Sequence, residues 1–146
     1  MLCQGEIRTL AKRCDAKHQL FIIDSCHSGM LFMRERGKYD STLANSPAKL
    51  GMVATSTTQQ AAEYHHGGIF TTQLLDVLEG DNKFIRNEMS NNLLTAHELF
   101  SKVARKTSEK AWDDFEHTQT PQFGTLQSTD KNGQKCEGSM LFQRHV

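Results

Sequence analysis

The sequence lacks the features of a membrane-spanning, secreted or nucleic-acid-binding protein. None of its apolar runs approaches the roughly 18–20 residues of a membrane span, and its first residues form no signal-like apolar segment. Its 17 basic and 17 acidic residues cancel, so it has no basic excess of the kind that nucleic acids and anionic membrane surfaces attract. We therefore expect a cytoplasmic protein with neither nucleic acid nor membrane among its partners.

Cysteine and proline are scarce, and repeats and low-complexity tracts are absent. The four cysteines are Cys3, Cys14, Cys26 and Cys136, and no two of them have the C-x-x-C spacing of a zinc or redox site. A disulfide framework is not expected either, because a cytosolic chain keeps its thiols reduced. The length of 146 residues allows one domain or part of one, and we expect no metal and no other cofactor.

Hydrophobic patterning predicts an α/β architecture. Apolar residues three and four apart predict a helix over 4–17, and the continuous apolar run over 19–24 predicts a strand buried on both faces, as in a parallel sheet. The remaining elements, in order, are a polar loop over 34–49, a strand over 51–56, a loop over 57–68, a helix over about 69–79, a helix that begins at Thr95, an extended segment over 121–126 and a strand over 139–143.

The last two predicted helices have apolar sides that should face the core. Thr95 and Glu98 have the spacing of a capping box, in which the hydroxyl and the carboxylate satisfy each other's backbone donors. The side chains expected in the core are Ile69, Phe70, Leu74, Leu75 and Leu78 from the first helix and Leu99, Phe100, Val103 and Trp112 from the second.

A candidate reactive site follows the first predicted strand, in the turn Asp24-Ser25-Cys26-His27-Ser28-Gly29. In open α/β sheets, reactive residues collect beyond the carboxyl ends of the strands. A cysteine on such a turn has an exposed sulfur, and a backbone N–H nearby can stabilise an oxyanion. The alternative from position alone is that Cys26 is an inert buried thiol.

Residues 20–29, LFIIDSCHSG, resemble the nucleophile segment of the caspase/metacaspase clan in its D-x-C-H-S-G form. Residues 54–63 and 67–75 resemble the small-subunit half of bacterial and fungal caspase-like domains, as does TPQFG at 120–124 followed by a terminal apolar strand. The resemblance covers roughly residues 5–143. It implies a caspase-like α/β fold, a mostly parallel sheet flanked by helices, that is incomplete at its N-terminal side.

By this resemblance, residues 1–146 are the C-terminal portion of a single caspase-like domain. Residues 1–33 carry the nucleophile strand, 34–49 form a linker-like loop, and 50–146 form the small-subunit-like half. In the family, the linker between the two halves is often cut during maturation. The alternative for residues 34–49 is a solvated loop that is not cut. The basic residues after which self-processing would cut are Arg34, Arg36 and Lys38.

The resemblance also implies a cysteine endopeptidase that uses a Cys/His dyad. Cys26 would attack the peptide carbonyl, and its own N–H would form part of the oxyanion hole. Asp24 would lie in the S1 pocket and favour Arg or Lys before the scissile bond, while Gln60 and Glu63 would contribute to the substrate cleft. The implied partners are protein or peptide substrates, together with either an upstream half of the domain or a homologous chain.

The histidine of the dyad departs from the family pattern. In the family it lies in an H-G segment roughly 50 residues before the nucleophile, but only 25 residues precede Cys26, so we expect the base to lie outside this chain. His27 is adjacent to Cys26 in the sequence, but successive side chains on an extended turn diverge, so we expect His27 to be a poor base. His65 and His66 are the alternative bases, or zinc ligands together with Cys26. Calcium activation is not expected, because apolar residues 30–33 replace the acidic residue that accompanies it.

Three further alternatives stay open. The chain could be a catalytically inactive caspase homologue that acts as a binding or pairing module. An unrelated hydrolase with a cysteine nucleophile, such as a glutaminase, would need a glycine-rich turn, whereas Ser25 and His27 flank Cys26. The carboxylate of Asp24 could be paired internally with a Lys or Arg instead of binding substrate.

Overall fold

A computed structural model describes residues 4–32, 46–79, 93–127, 129–136 and 138–143. No helix among these residues is both long and apolar enough to cross a membrane. In chain order the elements are α1 (Gln4–Arg13), β1 (His18–Ile23), a 3₁₀ helix (Ser28–Phe32), β2 (Ala48–Val53), β3 (Glu63–Tyr64), β4 (Gly67–Gly68), α2 (Ile69–Glu79), β5 (Leu93–Thr95), α3 (Ala96–Phe115), β6 (Gln122–Thr125) and β7 (Leu141–Gln143).

The main described sheet has the strand order β1-β2-β6. Strands β1 and β2 are parallel, with His18 opposite Ala48, and β2 and β6 are antiparallel, with Val53 opposite Gln122. Two further antiparallel pairs, β3 with β4 and β5 with β7, lie outside this sheet. The predicted α/β class is confirmed, and the described sheet is mixed, with one parallel and one antiparallel pair, rather than mostly parallel.

Strand β2 is the centre of the fold, because helices cover both of its faces. All six of its residues are buried. Alternate side chains point to opposite faces of a strand, so Ala48, Leu50 and Met52 pack against α2 and α3. Val53 packs on the other face with Ala11 of α1 and with Leu31. The result is a three-layer arrangement with the sheet in the middle.

The observed β2 corrects the predicted loop over 34–49 and the predicted strand over 51–56. Residues 34–45 and the three cleavage points within them lie outside the described residues. Ala48 and Lys49, predicted in the loop, belong to β2, whereas residues 54–56 follow the strand. Lys49 is only 2% exposed, and its Nζ donates to the carbonyls of Ala11 at 2.5 Å and Cys14 at 3.3 Å. Ala11 lies in the last turn of α1, and Cys14 lies just beyond it. Their carbonyls accept hydrogen bonds from the ammonium group, so a lysine can be accommodated in a buried strand.

Replacing Lys49 by Met is expected to destabilise the chain by about 1–3 kcal/mol, because the buried carbonyl of Ala11 loses this donor and the carbonyl of Cys14 keeps only that of Gln19. Met preserves most of the buried volume, so the loss isolates the hydrogen bonds from packing. Urea unfolding followed by circular dichroism measures the free energy. Lys12→Met, an exposed change on α1, is the matched control and should stay within about 0.5 kcal/mol of the wild type. An unchanged midpoint for Lys49→Met would show that its contacts contribute nothing.

The first helix and strand also differ from prediction. Helix α1 ends at Arg13 rather than at residue 17. Strand β1 was expected to be buried on both faces, but it pairs only with β2 in the described sheet, and Ile22 is 43% exposed. A continuous apolar run predicts a strand whose two faces are both covered by packed elements, and among the described residues the cover over β1 leaves Ile22 exposed.

Helices α2 and α3 have narrower buried sides than predicted. Ile69, Phe70 and Leu74 are buried as expected, whereas Leu75 and Leu78 are exposed. On α3, Leu99 and Val103 are buried and Phe100 is partly buried, but Trp112 is 61% exposed, so its predicted core position is wrong. The Thr95–Glu98 capping box is confirmed. The extended segment around residues 121–126 contains β6, and the terminal strand is β7.

Candidate active site

Three chain segments meet at one edge of the main sheet. Strands β1 and β2 are parallel, so the turn that follows β1 and the loop 54–62 that follows β2 leave from the same edge. Strand β6 is antiparallel and begins at this edge, where Gln122 lies opposite Val53. The segment 117–121, which precedes β6, therefore lies at this edge as well. The predicted site lies where these segments converge.

The thiol of Cys26 is exposed at this edge, so the alternative of a buried thiol is wrong. The backbone N–H of Ala61 donates to its Sγ at 3.4 Å. The thiolate is the nucleophilic form of a cysteine, so this backbone donor faces the atom that would attack a substrate. The contact joins the turn after β1 to the loop after β2.

His27 and Ser28 fix the turn by hydrogen bonds to the loop 54–62. His27 has a left-handed backbone with φ of 56°, its N–H donates to the Gln59 carbonyl at 2.9 Å, and its Nδ1 lies 3.0 Å from the Thr57 carbonyl. The hydroxyl of Ser28 lies 3.1 Å from the hydroxyl of Thr55. His27 is thus bound to the neighbouring loop, in agreement with its predicted unsuitability as a base.

Asp24 lies between the thiol turn and the N-terminus of α2. Its Oδ2 accepts hydrogen bonds from the N–H of Thr71 at 3.0 Å and from the hydroxyl of Thr71 at 2.7 Å. Thr71 is the third residue of α2, so the carboxylate satisfies a backbone donor at the positive end of the helix. Among the described residues, Oδ1 has no hydrogen-bond partner and no Lys or Arg pairs with the carboxylate, so the internal cation that we considered is not found there.

Gly68 makes this position of Asp24 possible. A Cβ built on Gly68 would lie 2.0 Å from the Oδ2 of Asp24, closer than non-bonded atoms approach. Gly68 pairs with Glu63 in the two-stranded β3–β4 hairpin, within a segment that we had predicted to be a loop. The glycine therefore lets the carboxylate pass directly beneath the start of α2.

A cleft of about 400 Å³ contains both the thiol and the carboxylate. Its lining residues are Asp24, Ser25, Cys26, Ala61, Ala62, Glu63, Gly67, Gly68 and Thr71. Two of them carry acidic groups, and none is Lys, Arg or His. Of the predicted substrate residues, Glu63 lines this cleft. Gln60 does not line it. It is exposed, and its carbonyl lies 2.9 Å from Nε2 of His117.

A family model described as the caspase domain matches residues 4–132. The chain belongs to the caspase-domain family. Neither a curated protein nor a solved structure matches the chain. Membership confirms the resemblance seen in the sequence and the caspase-like α/β fold, and it indicates a cysteine peptidase. The turn with Asp24 and Cys26, the loop 54–62 and the N-terminus of α2 all lie within the matched part of this caspase domain.

The two histidines considered as alternative bases belong to a neighbouring cleft of this caspase domain. His65 and His66 line a space of about 640 Å³ with Glu63, Tyr64, Gly67 and Phe115, and not the cleft of Cys26. Tyr64 stacks on His66 and donates its hydroxyl to Asp114, which raises the pKa of Tyr64 to about 12. Within the described ranges, no three His, Cys, Asp or Glu side chains converge as metal ligands.

Several residues that build the site of this caspase domain were missed from the sequence. They are Thr71, which binds Asp24; Ala61, which binds the thiol; Gly68; and Gln119, which binds the loop 54–62. The pair Gly67-Gly68 directly before a predicted helix was the available signal for a close backbone approach. No local pattern marked Thr71 or Gln119.

Proposed function

We propose that this chain carries the nucleophile and the substrate-charge pocket of a cysteine endopeptidase that cleaves after Arg or Lys. The supporting observation is the cleft that contains the exposed thiol of Cys26 and the carboxylate of Asp24 together. One carboxylate oxygen is held by Thr71, and the other has no hydrogen-bond partner among the described residues. A nucleophile thus lies beside an anchored negative charge.

Cys26 supplies the covalent chemistry. Its thiolate adds to the scissile carbonyl carbon, and the tetrahedral intermediate collapses to a thioester when the C–N bond breaks and the leaving amine takes a proton. Water then hydrolyses the thioester and regenerates the thiol. The N–H of Cys26 stabilises the oxyanion, and a histidine that is not in this chain supplies and removes the protons. The N–H of Ala61 donates to the attacking sulfur.

Asp24 supplies the specificity. A guanidinium or ammonium group in the cleft gives the carboxylate a cationic partner, and Glu63 adds a second negative charge to the lining. An uncharged side chain desolvates the carboxylate without replacing its water, at a cost of about 1–3 kcal/mol. An acidic side chain adds repulsion between like charges. Substrates with Arg or Lys before the scissile bond are therefore favoured over those with Leu or Asp.

Labelling of Cys26 by peptidyl chloromethyl ketones tests this proposal on the 146-residue chain, since the thiol is alkylated without protonating a leaving amine. Matched ketones with Arg, Lys, Leu or Asp next to the warhead are compared by intact-mass and peptide mass spectrometry. We expect the Arg and Lys reagents to label Cys26 about tenfold or more faster than the Leu reagent, because tenfold corresponds to about 1.4 kcal/mol. The Asp reagent should be the slowest.

Asp24→Asn is the decisive variant, because Asn keeps an oxygen for Thr71 but removes the charge. It should abolish the preference for basic reagents. Asp76→Asn is the matched control: it removes an exposed carboxylate of α2 that pairs with Lys106, far from the cleft lining, and should leave the preference unchanged. Equal labelling by Arg and Leu reagents, or an Asp24→Asn chain that still prefers Arg, would remove Asp24 from substrate recognition.

The second candidate function is a pairing module without catalysis, and one observation favours it. The outer edge of β1 has no strand partner within the described ranges, and Ile22 is exposed on that strand. Such an edge can accept a strand from another chain. Failure of every peptidyl ketone to label Cys26, together with sedimentation of the purified chain as an oligomer, would select this function over the peptidase.

A further inference from the structure

Gln119 is buried beside the site, and its side chain joins the two ends of the loop 54–62. It is 1% exposed. Its Oε1 accepts a hydrogen bond from the N–H of Ala62 at 2.9 Å, and its Nε2 donates to the carbonyl of Ala54 at 3.1 Å. A side-chain amide is the group that can accept at one end of a loop and donate at the other simultaneously.

The segment around Gln119 is itself firmly held. The hydroxyl of Ser108 on α3 donates to the Gln119 carbonyl at 2.8 Å. The neighbouring Thr120 donates its N–H to Oε1 of Gln59 at 2.9 Å, and His117 binds the carbonyl of Gln60. Three positions of one segment thus hold residues 54, 59, 60 and 62 of the loop. Because the loop has no strand or helix in this stretch, these side-chain contacts take the place of secondary structure.

The loop carries the donor that reaches the thiol. Ala61, whose N–H points at Sγ of Cys26, immediately precedes Ala62, whose N–H is held by Gln119. Only the φ and ψ of Ala61 separate the two N–H groups, so fixing the Ala62 N–H limits the directions that the Ala61 N–H can take. Gln119 does not line the cleft and touches no reacting atom.

We infer that Gln119 is a positioning residue for the nucleophile, which directs the Ala61 N–H at Sγ of Cys26 and so raises the reactivity of that sulfur. This inference deepens the proposed peptidase function and rests on it for its biological meaning. The chemical effect, however, is a property of the thiol alone. It can therefore be measured without any peptide substrate.

The test is the pH profile of Cys26 alkylation by iodoacetamide, followed for the Cys26 peptide by mass spectrometry so that the other thiols do not interfere. Gln119→Met fills the same space without either hydrogen bond. We expect its profile to shift upward by about half to one pH unit. This is less than the shift of about 1–2 units for a fully lost hydrogen bond to a charged group, because the Ala61 N–H is loosened and not removed. At pH 7 alkylation should slow by only about two- to threefold. The fraction of thiolate falls by more than this, but a thiolate that is harder to form is intrinsically more nucleophilic, which offsets part of the loss.

Two further variants separate positioning from general destabilisation. Lys49→Met, which loses buried hydrogen bonds to Ala11 and Cys14, should keep the wild-type alkylation profile. Gln119→Glu retains an acceptor for Ala62 but loses the donor for Ala54, and it adds a negative charge next to the loop that contacts Cys26, so its profile should also shift upward. It also provides a readout if the Met variant does not fold.

The outcomes of the two experiments are independent. A wild-type profile in the folded Gln119→Met or Gln119→Glu chain would overturn the positioning role, even if peptidyl ketones still label Cys26 with a preference for Arg. A shifted profile in a chain that shows no preference among the ketones would leave the positioning role standing and remove the proposed specificity. An equal shift in Lys49→Met would assign the effect to lost stability and overturn the inference.

Discussion

The purified 146-residue chain is expected to hydrolyse a fluorogenic Arg peptide about 10²–10⁴ times more slowly than an enzyme whose cysteine has a paired imidazole. No histidine is among the described residues that line the cleft of Cys26, and a thiol without a base is only a few per cent thiolate at neutral pH. The leaving amine also lacks an acid to protonate it. Steady-state fluorescence with Cys26→Ser as the blank measures the rate.

Added imidazole provides the sharpest control. If the missing base alone limits the rate, millimolar imidazole should raise Cys26-dependent hydrolysis, while leaving peptidyl ketone labelling nearly unchanged because that reaction has no amine to protonate. Robust turnover without imidazole would contradict the prediction. It would then make His65 or His66 the base, despite their position in the neighbouring cleft, and single alanine variants of the two would decide between them.

Gly68→Ala is expected to destabilise the fold by about 1–3 kcal/mol and to erase the preference for basic reagents. The new Cβ would lie 2.0 Å from Oδ2 and 2.5 Å from Cγ of Asp24, so the carboxylate must leave Thr71. The α2 N–H at Thr71 then loses its acceptor, and the cleft loses its anchored charge. Urea unfolding measures the first effect, and the ketone series measures the second.

A double-mutant cycle assigns the cost to this one contact. Asp24→Ala removes the carboxylate atoms that the added Cβ would strike, so Gly68→Ala should be nearly neutral in an Asp24→Ala background. We expect a coupling energy of about 1–3 kcal/mol, within the range for residues in contact. Equal costs of Gly68→Ala in both backgrounds would mean that the backbone at this position, and not the carboxylate, requires glycine.

The fold was predictable where its determinants are local. The capping box at Thr95 and Glu98 spans a single helical turn, and it fixed the start of α3 correctly. The apolar side of α2 was correct through Leu74 and wrong at Leu78, because the width of a buried stripe depends on what packs against it. Lys49 was placed in a loop because its burial depends on a carbonyl 38 residues away, a contact that no local pattern reveals.

The candidate site was also predictable only where its residues are close in sequence. Asp24 and Cys26 stand two residues apart, and both were found because a single turn carries them. Thr71 binds Asp24 across 47 residues, and Gln119 binds Ala62 across 57. These partners come together only when the three segments meet at the sheet edge. Threonine and glutamine are also common on exposed surfaces, so their residue types gave no warning.

The hold of Thr71 on Asp24 also bears on which cation the cleft selects. Two donors from Thr71 occupy Oδ2, so the carboxylate offers an incoming side chain mainly its Oδ1. A guanidinium has an advantage over an ammonium when it makes two parallel hydrogen bonds to the two oxygens of a carboxylate. Here one of these oxygens, Oδ2, is already bound by Thr71. The cleft should therefore sense a positive point charge more than a planar shape, and discriminate only weakly between arginine and lysine.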